Sequence, residues 1–187
     1  MTIEPVGRSW SKAKETAFSR LKRLRSPTPT TNPDRSSETT ACLISPGWID
    51  LQVNGYGGKE FSSADLTVDD VRQIADVMLR SGVTRFLPTL TTQSDEVLLH
   101  ALTVIRKACA QSPELARQIP GIHLEGPFIS RVDGPRGAHP LQFCREPDWE
   151  MFLCFQDAAG GMIRIVTISP EYAHAPTFIE NAVADGV

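Results

Sequence analysis

The sequence has few cysteines for its 187 residues: Cys42, Cys109, Cys144 and Cys154, with no Cys-x-x-Cys pair. That excludes a zinc ribbon, and a chain of this size needs no disulfide scaffold, so the thiols read as reduced ones in a cytoplasmic protein. It lacks any apolar run long enough to span a bilayer or form a signal-peptide core, which argues against a membrane partner. It also lacks an excess of positive charge. Nineteen Lys and Arg stand against 22 Asp and Glu, a net charge of -3, which argues against nucleic acid as the partner of the whole chain. Finally, it lacks Gly-x-Gly-x-x-Gly. The segment "NGYGGKE" places Gly55, Gly57 and Gly58 at the wrong spacing and opens no immediate helix, so the phosphate turn of a doubly wound dinucleotide binder is missing.

What is present divides the chain. At 41% hydrophobic and 22% charged residues the whole is ordinary for a globular protein. Residues 1–25, however, carry Arg8, Lys12, Lys14, Arg20, Lys22, Arg23 and Arg25 against only Glu4 and Glu15. The following "RSPTPTTNPDRSSETT", Arg25 to Thr40, has almost nothing to bury. Residues 1–40 therefore read as a basic arm and a Pro/Ser/Thr-rich linker that form no stable part of the core. A surface-binding helix is the alternative for the arm. Residues 41–187 read as the domain.

From Leu43 onward strands and helices alternate. "CLISPGWIDLQVN" is apolar and extended. "LTVDDVRQIADVMLRSG" then places Val71, Ile74, Ala75, Met78 and Leu79 at helical spacing, with Thr67 as N-cap, Asp70 three residues on and Gly82 as the stop. "VTRFLPTL" reads as a strand. "DEVLLHALTVIRKACA" reads as a helix with Val97, Leu98, Ala101, Ile105 and Cys109 on one face. "IPGIHLEG" is a third strand. "PDWEMFLCFQDAAGG" is a helix with Pro147 in its first turn, "MIRIVTISPE" a fourth strand and "PTFIENAVADG" a fourth helix. Such alternation means a parallel sheet with right-handed crossovers, either doubly wound or a (β/α) barrel. Polar residues recur at the strand ends: Asp50, Gln52 and Asn54, then Thr89, Glu125, Ser169 and Glu171. That is where a barrel keeps its chemistry. About four units are present where a closed barrel needs eight, so the chain reads as the N-terminal half of a TIM-type (β/α)8 barrel.

Gln52 and Asn54 share a strand face. Amides bind metals weakly, so the pair points to hydrogen bonding, either at a site or to the backbone around Gly55–Gly58. His123 and Glu125 also share a face. A carboxylate ending an apolar strand needs compensation, because desolvating a lone charge is costly. A metal cation, an ion pair or backbone N–H groups would each serve. Arg131, Arg136 and His139 lie on the Gly/Pro-rich loop that follows, and His139 there suits contact with a substrate carbonyl. His100 and His174 read as surface residues.

The blocks "PGWIDLQVNGYGG", "GVTRFLPTLTT", "GIHLEGPFIS", "GAHP" and "IRIVTISPE" occur in this order. Together they resemble the N-terminal half of the N-acetylglucosamine-6-phosphate deacetylase family of the amidohydrolase superfamily, over Leu43 to Val187. The resemblance implies metal-dependent deacetylation of N-acetylglucosamine 6-phosphate to glucosamine 6-phosphate and acetate. It implies one divalent cation per site, zinc or similar, with Glu125 as a ligand. It implies substrate contacts from Ala138 and His139, and Gln52 and Asn54 in place of the superfamily's His-x-His. A homo-oligomer is expected of the full-length parent. The family's two metal-ligating histidines, its acid/base Asp and its phosphate-holding basic residues are expected beyond Val187, so the chain alone is expected to be inactive. Residues 1–42 also lack the alternating strands of the small β-sandwich that the family builds. The rival readings are a non-catalytic fragment or isoform, another sugar-phosphate-handling barrel such as an isomerase or epimerase, and a binder of nucleic acid or membrane through the basic arm.

Overall fold

Residues 45–187 are described by the structure, a computed structural model. The arm and linker expected over residues 1–40 lie outside them. The described elements are β1 (Trp48–Val53), β2 (Gly55–Tyr56), β3 (Lys59–Glu60), α1 (Val68–Arg80), β4 (Val83–Thr91), α2 (Asp95–Gln111), α3 (Pro113–Gln118), β5 (Ile122–Glu125), α4 (Trp149–Ala158), β6 (Ile163–Thr167) and α5 (Ala175–Ala184). Each strand and helix expected from the sequence is present, with boundaries shifted by a few residues. The first described strand begins at Trp48, after Ser45–Gly47.

Local chemistry sets the helix ends. The Thr67 hydroxyl accepts from the Asp70 N–H and the Asp70 carboxylate accepts from the Thr67 N–H, a reciprocal capping box that starts α1. Val71, Ile74, Ala75 and Met78 are buried along one stripe of that helix. Leu79 was expected there too but is 45% exposed, because it lies one step beyond Met78 and off the stripe. In α2 the buried stripe runs through Leu98, Ala101, Leu102, Ile105, Ala108 and Cys109, with Val97 only half-buried. Ser112 caps α3, a single short helix begun by Pro113 that periodicity did not reveal. In α4 the N-cap is Asp148, whose carboxylate accepts from the Met151 N–H at 3.0 Å. Pro147 therefore precedes the cap instead of sitting in the first turn. Pro176 does occupy the first turn of α5.

The four long strands are all parallel and stand in the order β1–β4–β5–β6, which is also their order in the sequence. A doubly wound sheet reverses that order at a switch point. Here every right-handed crossover steps the same way, so the connecting helices share one side of the sheet. Val53, Phe86, Leu90, Ile122, Leu124 and Ile163 turn to that side and join Ile74, Leu98, Leu102, Ile105, Phe152 and Phe155 in one core. Phe128, Trp149, Phe152 and Phe178 close it, with Phe178 edge-on to the other three at ring separations of 5.1 to 5.7 Å. Each fully buried ring of this kind contributes about 1.5–3 kcal/mol through removal from water.

The opposite face carries Thr89, Thr91, His123, Glu125 and Thr167. The registers set Thr89 beside His123, and Thr91 and Thr167 on either side of Glu125. Between β1 and α1 a small antiparallel hairpin, β2–β3, pairs Tyr56 with Lys59. Gly57 and Gly58 form its two-residue turn with φ of 63° and 82°, the left-handed pair that such a turn demands. These glycines close a hairpin.

Candidate functional site

At the C-terminal end of the parallel strands a cavity of about 350 Å³ is lined by Gln52, Asn54, Thr91, Thr92, Gln93, Glu125, Ala138, His139 and Pro140. The structure thus brings together all five residues singled out as candidates from the sequence. Hollows of about 520 and 560 Å³ lie elsewhere, around Lys59 and Asp70 and around Arg145 and Trp149, but volume alone assigns no chemistry. In the strand-end cavity a carboxylate, three side-chain amides and an imidazole converge.

β1 delivers Gln52 and β5 delivers Glu125. The Gln52 amide donates from Nε2 to Glu125 Oε2 at 3.0 Å. Glu125 is half-buried rather than sunk in the core, and a side-chain amide is its partner in the structure. The alternative of both amides serving the Gly55–Gly58 backbone does not hold for Gln52. Asp50 turns back on its own strand, its Oδ1 accepting from the Gln52 N–H at 3.0 Å. The Asn54 carbonyl accepts from the Phe61 N–H at 2.9 Å, leaving its side chain on the cavity wall.

His123 belongs beneath the site. Its Nδ1 lies 3.3 Å from the Thr89 hydroxyl and its Nε2 lies 2.7 Å from the Thr167 hydroxyl. Both ring nitrogens are thus used to tie β4, β5 and β6 together. Burial pushes its pKa below the ordinary histidine value, and the nearby Glu125 charge opposes that only in part. Thr89 sits within β4, fully buried at this bridge, and not at the strand end.

His139 is held by two groups. Its Nδ1 lies 2.8 Å from the Thr92 hydroxyl, and its carbonyl accepts from Arg136 Nη1 at 2.8 Å. Arg136 also pairs with Asp133. The loop between β5 and α4 is fastened elsewhere as well. Arg131 Nη1 donates to the Cys144 carbonyl at 2.8 Å, the Ser130 N–H to the Ser169 hydroxyl at 2.7 Å, and Arg145 grips Asp95 through both terminal guanidinium nitrogens at 2.7 and 3.1 Å. Arg131 and Arg136 therefore serve the loop. The reading from sequence missed Thr92, Thr91 and Gln93, although "TLTTQS" displays two hydroxyls and an amide directly after a strand. Nothing in that stretch reveals that it faces the loop after β5. His100 and His174 are on the surface, as expected.

Among the described residues no group of three or more His, Cys, Asp or Glu comes together to hold a metal ion. A hydrolytic zinc centre needs about three protein ligands beside its water. Glu125 offers one carboxylate and Gln52 and Asn54 offer weak amide donors, so these residues do not by themselves fit a complete metal centre. No helix among the described residues is long and apolar enough to cross a membrane.

No family model matches the chain. Individual relatives do. The chain is 38% identical over 157 residues to N-acetylglucosamine-6-phosphate deacetylase of Bos taurus, covering 82% of this chain and 37% of that protein. It is 37% identical over 131 residues to the Bacillus subtilis (strain 168) enzyme of the same name, covering 69% and 32%. A Mycobacterium smegmatis N-acetyl-D-glucosamine-6-phosphate deacetylase structure, a mutant in complex with N-acetyl-D-glucosamine-6-phosphate, superposes with a TM-score of 0.66 at 33% identity, covering 76% of this chain and 35% of that one. The Pasteurella multocida enzyme gives the same TM-score at 32% identity. The chain spans about a third of the length of these relatives. Along the residues that build this sheet and its strand-end cavity, these curated relatives and solved structures are all N-acetylglucosamine-6-phosphate deacetylases.

Proposed function

We propose that the chain forms the first half of a (β/α)8 barrel whose mouth receives N-acetylglucosamine 6-phosphate, and that the whole protein hydrolyses its amide to acetate and glucosamine 6-phosphate. The observation that carries this reading is the convergence of Gln52, Asn54, Glu125, Ala138 and His139 on one cavity at the carboxyl ends of parallel strands. The relatives' shared name supports the substrate. In this reading Ala138 and His139 border the N-acetyl group, with an N–H of His139 directed at the acyl oxygen. Gln52 holds the Glu125 carboxylate in place from across the sheet. Glu125 is one ligand of a divalent cation, zinc or similar. The described residues do not complete that ligand set, and the cavity wall includes no Asp to act as acid and base. This chain by itself then binds without turnover.

The test is titration of N-acetylglucosamine 6-phosphate into the isotopically labelled 187-residue chain, with acetate release measured in parallel in the presence of zinc. Resonances of Gln52, Asn54, Ala138 and His139 should shift together, the shifts should weaken in His139→Ala, and no acetate should appear. Perturbation confined to other residues would overturn the assignment of the cavity. Turnover that is lost in Glu125→Ala would overturn the reading of the chain as inactive alone.

A further inference from the structure

We infer that Thr92 is the positioning residue for His139, its hydroxyl fixing the ring so that Nε2–H, and not a lone pair, is offered to the cavity. Thr92 lies directly after β4 and is only 1% exposed, so water does not compete for its hydroxyl. That hydroxyl has one hydrogen and two neighbours, His139 Nδ1 at 2.8 Å and the Glu125 carbonyl at 3.5 Å. The shorter contact is at the usual length for a hydroxyl hydrogen bond and the longer at its outer limit. A hydroxyl can donate to one neighbour while accepting from the other; the arrangement inferred here gives its hydrogen to the nearer Nδ1, which is then an unprotonated acceptor, and leaves the Glu125 carbonyl at contact distance. A neutral imidazole with Nδ1 as acceptor carries its proton on Nε2.

The surroundings leave little choice of geometry. Arg136 fixes the His139 backbone through its carbonyl, so the Thr92 contact sets the remaining freedom, rotation of the ring. Thr92 is pressed from the other side by Gly126, where a Cβ would stand 2.0 Å from the hydroxyl oxygen. The same hydroxyl thus borders the backbone that follows Glu125, so the imidazole and the carboxylate are placed relative to one another through a single side chain. Under the proposed function, on which this consequence rests, a fixed Nε2–H is the donor that polarises an acyl oxygen. With the proton moved to Nδ1, Nε2 would present a lone pair and repel that oxygen.

The experiment is long-range ¹H–¹⁵N spectroscopy of the histidine rings at about pH 8, with His139 assigned by loss of its signals in His139→Gln. The wild-type chain should show Nε2 protonated and Nδ1 as a hydrogen-bonded acceptor. Thr92→Val should abolish the hydrogen-bonded Nδ1 signature, and Thr92→Ser should restore it. Amide spectra of each variant report whether the fold is kept. A wild-type His139 protonated on Nδ1 would overturn the inference whatever the variants do. So would a folded Thr92→Val whose His139 signals match the wild type. The readout needs no substrate. If N-acetylglucosamine 6-phosphate failed to bind, the proposed function would fall while the Thr92–His139 assignment stood.

Discussion

Replacing Gly126 by Ala should be among the most damaging single-atom changes available to this chain. Gly126 has φ of +100°, where an L side chain is strained at a cost on the order of 1–3 kcal/mol. Its new Cβ would also stand 2.0 Å from Thr92 Oγ1, 3.2 Å from Thr92 Cβ and 3.3 Å from Ile129 Cγ1. Both neighbours are buried, Thr92 at 1% and Ile129 at 5% exposure, so neither can swing into solvent. Overpacking of that kind adds about 1–3 kcal/mol, giving about 2–6 kcal/mol in total, much of a typical domain's stability. The two contributions separate in a double-mutant cycle. In a Thr92→Ala background the 2.0 Å contact has no partner, so Gly126→Ala should cost the backbone part plus only the milder contacts at 3.2 and 3.3 Å. Urea unfolding of the four proteins, read from midpoints at constant slope, measures both. A cost below about 0.5 kcal/mol, or the same cost with and without the Thr92 side chain, would refute the close-approach argument.

Two further outcomes follow from ionisable groups away from the cavity. Lys59 donating to Asp70, with help from the Thr67 hydroxyl, holds the Asp70 carboxyl at about 2, below its ordinary 3.8. A depressed acid pKa means stability that is present above about pH 4 and lost as pH falls toward 2, so the gap between urea midpoints of wild type and Asp70→Asn should hold from pH 6 to about pH 4, narrow at pH 3 and close toward pH 2. An unchanged gap would refute the linkage. Burial pushes the Cys109 thiol up to about 11, whereas Cys154 is exposed. Iodoacetamide at pH 8, followed by peptide mass spectrometry, should label Cys154 in the native protein and Cys109 only in urea. Equal native rates would contradict the burial of Cys109.

The units of this fold are legible because each is written locally. Thr67 and Asp70 announce a helix start within four residues, and Val71, Ile74, Ala75 and Met78 state which face is buried. The site is legible to the extent that it lies on strand ends: Gln52, Asn54 and Glu125 stand out as polar residues on apolar strands. What is not legible is pairing across the sheet. Nothing near Glu125 identifies Gln52 as its hydrogen-bond partner, since that contact depends on the lateral placement of β1 and β5. Thr92 is hidden for a similar reason, because its hydroxyl acquires a role only when the loop carrying His139 folds back over it. Pro147 misled by proximity. A proline near a helix start fits several positions, and the carboxylate of Asp148 determines which.

The strand order has a consequence for how the chain gains its structure. Spatial neighbours in the sheet are sequential units, so each crossover closes a modest loop and a newly made unit meets an edge that already exists. Such wiring keeps the entropy of each closure low and permits assembly from one end as the chain emerges. The cavity obeys a different schedule. Gln52 and Glu125 are separated by 73 positions, and they meet only after the intervening strand has docked between their own. A nascent chain lacking β5 would have an ordered edge without the Gln52–Glu125 contact, so the strand-end cavity forms later than the sheet edge that borders it.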